Sequence, residues 1–267
     1  MASHCRSTTI SLSVLAYCLF LFSPLPTASQ NFLTESSKVS VGLYYESLCP
    51  YSANFIVNYL VDIFKDNGDL LSAIDLHLSP WGNARVRGND TFVCQHGPWE
   101  CFLNTVEACA IYVWPKLEDH FPFIYCVEDL VYNRKYTEWE TCFQKLNLDP
   151  EFITKCYKSE HGKELELRYA AETNSLQPPH KYVPWVVVDG EPLYEDYENF
   201  VTYICNAYKG TGPPKACNEL SRYTIQRRNA GVAGQVCYKE PIMSDITEMI
   251  RSTMTWWMQR IVGFASF

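Results

Sequence analysis

The 267-residue chain is acidic, with a formal charge of −8, and 47% of its residues are hydrophobic. That length allows one large domain or two small ones around a real core. The acidity, without a basic stripe, argues against nucleic acid as a partner, and the twelve cysteines favour an oxidising compartment.

The chain opens on a secretory signal. Arg6 charges its start, Ile10 to Phe22 is apolar, and Pro24, Pro26 and Thr27-Ala28-Ser29 suit cleavage, so the mature chain is expected to begin near Gln30. The apolar run is too short for a comfortable membrane span. Cys5 and Cys18 leave with the signal.

Val39, Val41, Leu43 and Tyr45 alternate as in a β-strand, and Phe55, Ile56, Tyr59, Leu60, Ile63 and Phe64 recur at helical spacing. Cys49 therefore sits where strand turns to helix, with Pro50 at a first-turn position that needs no N–H. Unpaired backbone N–H groups and the positive end of the helix dipole favour its thiolate, the nucleophilic form. The alternative is an inert buried thiol; the strand–Cys-Pro–helix context favours a reactive one. Three residues on, one helical turn away, stands Ser52 instead of a second cysteine.

A turn at Asn67-Gly68-Asp69 leads to a second strand, Ala73 to Leu78, expected to pair in parallel with the first. Ser79 to Asp90 reads as a loop and carries Asn89-Asp90-Thr91, a glycosylation sequon. Helical patterns cover 99–113, 116–132, 137–147 and 150–173, broken by Pro115, Pro122 and Pro150. Val183 to Val188 is a strand closed by Asp189-Gly190; a short strand at Pro192-Leu193 completes a hairpin, and Asp196 to Tyr208 is a last helix. Ser221 to Gly234 reads as a linker. Asp245 to Phe267 forms an amphipathic pattern, read as a tail resting on the domain or loosely ordered in preference to membrane attachment.

Ten cysteines remain in the mature chain. With Cys49 reactive and Cys237 in the tail, eight are left for structural bridges: Cys94, Cys101, Cys109, Cys126, Cys142, Cys156, Cys205 and Cys217. Short loops favour Cys142–Cys156 and Cys205–Cys217, leaving the first four to pair among themselves. Zinc held by the cysteines and His96 of the stretch from Cys94 to Cys109 is the weaker reading, since the spacing fits no standard knuckle, and no metal is expected. No glycine-rich phosphate loop is present, so no nucleotide or other cofactor is implied.

Cys94-Gln95-His96-Gly97, Glu100-Cys101, Asn104 and Cys109 stand at the spacing of the signature of the gamma-interferon-inducible lysosomal thiol reductase family. Leu48-Cys49-Pro50-Tyr51-Ser52 resembles that family's redox site and Val183-Pro184-Trp185 its cis-proline segment. The resemblance covers about residues 38–217 and is nearest the plant members. It implies an α/β, thioredoxin-like sheet with a disulfide-stapled helical insertion at about 95–180; residues 218–267 lie beyond it as an atypical tail. It further implies reduction of disulfide-bonded protein substrates in the secretory pathway, extracellular space or vacuole and lysosome, with a small thiol as reductant. Pro50, Tyr51, Val183 and a cis Pro184 would line the substrate groove. Without the resemblance, Pro184 equally suits the opening of a strand. His96 is expected to be structural, and Glu46 and Glu100 solvated.

Ser52 departs from the family's Cys-x-x-Cys. A hydroxyl cannot attack a mixed disulfide, so Cys49 would act as a monothiol, with Ser52 hydrogen-bonding its thiolate and an outside thiol or the substrate's own cysteine releasing the product. Another cysteine could resolve in principle, and Cys237 is the spare one, but nothing in the sequence places it nearby. A redox-inactive peptide-binding module, an isomerase and a covalent trap are the competing readings.

Overall fold

The computed structural model describes residues 38–64, 68–218, 220 and 235–239. The chain divides into Met1–Glu35 and Ser36–Phe267, and all described residues lie in the second unit. The signal segment, the 221–234 linker and the amphipathic 245–267 stretch fall outside them.

Strand β1, Val39–Tyr45, buries its alternate residues Val39, Val41, Leu43 and Tyr45, as a strand does when one face meets a core. It leads through Cys49 into helix α1, Pro50–Asn58, and a 3-10 segment, Leu60–Phe64. The single long helix suggested by the periodicity is thus broken at Tyr59. A short turn of helix, α2, Asp69–Ser72, precedes β2, Ile74–Pro80, which pairs in parallel with β1. The expected loop at 79–90 instead contains β3, Arg85–Arg87, paired antiparallel with β4, Thr91–Val93. Their connection uses left-handed Asn89 and Asp90, residues that tolerate that conformation. Asn89 is exposed there.

The helical insertion comprises α3, Pro98–Val113; α4, Leu117–Tyr132; α5, Thr141–Lys145; α6, Glu151–Tyr157; and α7, Glu160–Asn174. Pro122 does not break its helix: it lies inside α4, where it removes one backbone bond early in a helix held by buried Phe121, Phe123, Ile124 and Val127. The expected 150–173 helix is interrupted at Lys158, and Ser159 caps the second piece, its hydroxyl accepting from the His161 N–H at 3.3 Å.

The chain returns as β5, Tyr182–Val183, and β6, Trp185–Val188, on either side of a cis Val183–Pro184 peptide; the Gln177–Pro178 peptide is also cis. Strand β6 pairs antiparallel with β1 and with β7, Glu191–Pro192, across the Asp189-Gly190 turn. The main sheet therefore runs β2-β1-β6-β7, the thioredoxin-like arrangement. A 3-10 segment, Tyr194–Asn199, leads into α8, Phe200–Ala207, and α9 is Lys215–Asn218. Phe55 of α1 meets Tyr197 and Phe200 edge-on, each at 5.4 Å between ring centres, sealing the sheet against these helices. A last strand, β8, Cys237–Tyr238, pairs antiparallel with β5.

Five disulfides are formed among the described residues. Cys205–Cys217 is as the loop length predicts. Cys142–Cys156 is not formed: Cys142 joins Cys126 and Cys156 joins Cys109. The reason is packing. These cysteines point into the insertion's own core, where α5 lies against α4 and α6 against α3, so helix neighbours outrank the shorter loop. Of the four cysteines expected to pair among themselves, only Cys94 and Cys101 do so, which also removes both from any zinc set. The fifth bridge joins Cys49 to Cys237; Cys49 is not a free thiol in this structure, and the tail is not remote from it.

Candidate active site

Strand β1 delivers Tyr45 and Glu46 to the sheet's end. Tyr45 donates to Glu107 Oε2 at 2.5 Å, and the turn that follows is held from α3. Asn104 Oδ1 accepts from the Ser47 N–H at 2.9 Å, and the Ser47 hydroxyl donates to the Glu100 carbonyl at 3.2 Å. Two residues of the signature motif therefore position the loop that ends in Cys49. The Cys49 N–H closes the turn on the Glu46 carbonyl at 3.2 Å, and its own carbonyl accepts from Ala53 N–H at 3.0 Å. Cys49 is thus the N-cap of α1, with Pro50 next. Its sulfur lies 3.8 Å from the carbonyl oxygen of Val183, the residue before cis Pro184.

The structure thus brings Cys49 and the Val183–Pro184 peptide face to face. Pro50 is exposed and Tyr51 half-buried at the rim, while Val183 and Pro184 are buried opposite. Ser52 is fully buried and its hydroxyl has no hydrogen-bond partner among the described residues, so the expected bond from Ser52 to the Cys49 sulfur is not made in this bridged state.

Glu46 and Glu100 are not solvated: both are completely buried. Glu100 stands in the first turn of α3 and reaches back over the turn before it. Its Oε1 accepts from the Gln95 N–H at 3.0 Å and its Oε2 from the His96 N–H at 3.3 Å, the two residues that precede the Gly97 N-cap. Glu100 Oε2 also pairs with His96 Nδ1. Glu46 Oε2 accepts from the Asn83 N–H at 2.9 Å, and Oε1 lies 3.5 Å from His96 Nδ1. Burial, reinforced by the charge of Glu100, pushes the Glu46 carboxyl up to about 8. His96 is structural through Nδ1, as expected, but its Nε2 is 3.9 Å from Cys237 Sγ. Glu46, His96 and Cys237 offer ligand atoms within 4.8 Å of one another, but the bridge to Cys49 occupies the Cys237 sulfur.

Residues 235–239 lie as an extended segment along β5, next to Cys49. Beyond the β5–β8 pairing of Val183 with Cys237 and Tyr182 with Tyr238, Tyr197 donates to the Gln235 carbonyl at 2.8 Å. Asn83 Nδ2 donates to the Cys237 carbonyl at 2.9 Å and Gln95 Nε2 to the Tyr238 carbonyl at 2.8 Å. The Lys239 N–H donates to the Lys181 carbonyl at 2.9 Å. Sequence reasoning missed Asn83, Gln95 and Tyr197 as peptide-holding groups. It also left Cys237 without a place, although Val236-Cys237-Tyr238 is a run of β-forming residues.

Gly82 supports this arrangement. Its φ is +57°, and a Cβ would fall 2.8 Å from the Glu46 Cβ and 2.9 Å from Glu46 Oε2. Gly82→Ala is expected to destabilise the protein by roughly 3 kcal/mol, combining left-handed strain with displacement of a buried side chain. Thermal unfolding should then shift down by about 10 °C. Gly88, where an added methyl would meet nothing within 4 Å, is the control and should change little as alanine. Equal melting of the two variants would refute the role given to Gly82.

A thioredoxin-like sheet with Cys-Pro at a helix start, facing the backbone before a cis proline, defines a thiol-disulfide oxidoreductase. The family described as gamma interferon inducible lysosomal thiol reductase (GILT) matches residues 40–146. A gamma-interferon-responsive lysosomal thiol protein of Arabidopsis thaliana is 42% identical over 217 residues, covering 79% of this chain and 88% of that one. The gamma-interferon-inducible lysosomal thiol reductase of Mus musculus is 36% identical over 214 residues, covering 78% and 79%. Among solved structures, MdbA, a thiol-disulfide oxidoreductase from Actinomyces oris, aligns with a TM-score of 0.45 and 14% identity over 66% of this chain and 85% of that one. The chain belongs to the gamma-interferon-inducible lysosomal thiol reductase family.

Proposed function

We propose that the protein reduces disulfide bonds of extended polypeptide segments, with Cys49 as the attacking thiolate and Val183 as the backbone partner of the substrate. The observation that carries this reading is the occupied groove: a peptide strand lies on Val183 and is joined through sulfur to Cys49. That is the geometry a mixed disulfide with substrate requires. The helix start favours the thiolate, and Pro50 and Tyr51 shape the rim.

Ser52 supplies no second thiol, so the turn itself holds a single nucleophile. The site is proposed to work in the secretory pathway, in an acidic vacuole or lysosome or outside the cell, as the names of the relatives suggest. The exposed Asn89 is proposed as a glycan acceptor and the first 29 residues as the signal. No helix among the described residues is long and apolar enough to cross a membrane.

The test is covalent trapping. Pre-reduced protein, mixed at pH 5 with a disulfide-bonded protein and quenched in acid, should yield a mixed disulfide mapped to Cys49. Adducts on other cysteines, or none, would overturn the assignment.

A further inference from the structure

We infer that Cys237 is the resolving thiol of this reductase, carried to Cys49 by the tail strand in place of the missing thiol at residue 52. The inference rests on Cys49 being the nucleophile, and it assigns the step that follows attack.

Three independent features meet at Cys237. It is bonded to Cys49 across a sequence separation of 188 residues. Its strand is seated by backbone pairing to Val183 and by Tyr197, Asn83 and Gln95, all donating to tail carbonyls. Its sulfur lies beside His96 Nε2, whose other nitrogen is held by Glu100. A neutral imidazole in that position can take the Cys237 proton and leave a thiolate. By contrast, position 52 offers a buried hydroxyl with no partner among the described residues.

The electron count closes. Cys49 thiolate attacks a substrate disulfide, forming a Cys49–substrate disulfide and releasing one substrate thiolate, which takes up a proton. Cys237 then passes its proton to His96 and attacks the Cys49 sulfur. The Cys49–Cys237 bridge forms and the second substrate thiolate leaves, also to be protonated. The substrate disulfide gains two electrons and the protein dithiol loses them. Two equivalents of a small thiol return the protein to the dithiol, leaving as their own disulfide. The first attacks Cys237, which is half-buried where Cys49 is fully buried. Cys49 at the helix start is then the departing thiolate, and a stabilised thiolate leaves faster.

The same cradle serves substrate and tail in turn. While substrate lies on Val183 the tail strand is displaced; as Cys237 attacks, the tail takes back the hydrogen bonds that the substrate gives up. Reduced substrate is thereby expelled from the groove by the strand that replaces it.

The experiment is a single turnover. Pre-reduced protein is mixed with one equivalent of a disulfide-bonded protein without added thiol, then quenched in acid at intervals, alkylated and mapped. Wild type should pass through a Cys49-linked adduct and end with the Cys49–Cys237 bridge and released, fully reduced substrate. Cys237→Ser should form the adduct at the wild-type rate and hold it at least tenfold longer. His96→Gln, which keeps both cysteines, should form the adduct normally and resolve it more slowly, ending in the same bridge. Adduct that decays equally fast in Cys237→Ser, or persists equally long in wild type, overturns the inference while leaving Cys49 as the nucleophile. Failure of wild type to form any Cys49 adduct removes the nucleophile itself, and resolution with it. A Cys237→Ser protein too damaged to react would be recognised by its missing adduct, and His96→Gln would then decide: resolution at the wild-type rate in that variant counts against the inference.

Discussion

Cys49→Ala is expected to lower the reduction of a disulfide-bonded protein, with excess cysteine as reductant, by about three orders of magnitude or more, to the rate of the small thiol alone. The argument rests on where the nucleophile sits. Cys49 is the one described cysteine that caps a helix while facing the Val183 carbonyl, at 3.8 Å. Removing it takes away the helix-start thiolate and the sulfur that fixes substrate against the groove in one change. Cys237 survives in that variant next to His96, but it lies on a strand and cannot hold substrate against β5, because its own strand occupies that edge. Ser52→Cys is the informative partner experiment. It restores a thiol one helical turn from Cys49, so the oxidised protein should show a bridge from Cys49 to the new thiol competing with Cys49–Cys237, with reduction retained. A Cys49→Ala protein keeping more than about a tenth of the wild-type rate would sink the mechanism. Wild type as silent as Cys49→Ala, with Ser52→Cys active, would mean that the groove binds peptides and has given up reduction.

Much of this architecture is legible before any coordinates. Alternation in Val39–Tyr45, the Cys49-Pro50 boundary and the Asp189-Gly190 turn are local signals, and local signals survive into the fold. The parallel partner of β1 follows from chain order, and the cis peptide before Pro184 from the family resemblance. What stays hidden depends on distant contacts. Loop length favoured Cys142–Cys156, yet α5 and α6 pack on different helices, and the sulfurs follow the packing. Glu46 and Glu100 look like solvated charges by residue type; they are buried because each answers backbone N–H groups of other loops. Cys237 lies 188 residues from Cys49, and no spacing rule spans that distance. The signature motif shows the limit of pattern matching best: its spacing identified the family, but only the structure reveals that Gln95 holds the tail, His96 faces its sulfur and Asn104 fixes the Cys49 turn.

The buried acids carry a second large expectation: the oxidised protein should lose stability as pH rises from about 6.5 to 8. Burial, with the charge of Glu100, pushes Glu46 up to about 8, and burial pushes Glu107 up to about 7, from an ordinary value of 4.5. Burial and the neighbouring Glu107 charge raise Glu128 and Glu166 well above that value as well. A carboxyl whose folded value is raised keeps its proton where the unfolded chain has lost it. Its contribution is therefore complete below about 4.5 and is lost as pH climbs through the folded value, at up to roughly 1.4 kcal/mol per pH unit for each proton. His77, raised by its hydrogen bond to Glu172, acts in the same direction. His180, lowered by burial to about 4, and His120, also lowered by burial, act oppositely, because unfolding lets them gain protons below 6.5. Between about pH 4.5 and 6.5 His120 and His180 oppose part of the carboxyl loss; above 6.5 those two imidazoles are neutral in both states and only the loss remains. Glu46 and Glu107 alone account for a drop of about 2 to 3 kcal/mol from pH 6.5 to 8, to which Glu128 and Glu166 add, seen as a melting temperature lower by roughly 10 °C in calorimetry at constant ionic strength. Glu46→Gln, which keeps an acceptor for the Asn83 N–H, should make that decline shallower. Melting that is flat or rises between pH 6.5 and 8 would show that these carboxyls are ionised in the folded protein. The predicted direction favours the folded protein at mildly acidic over alkaline pH, with the Glu46 carboxyl protonated and buried near His96.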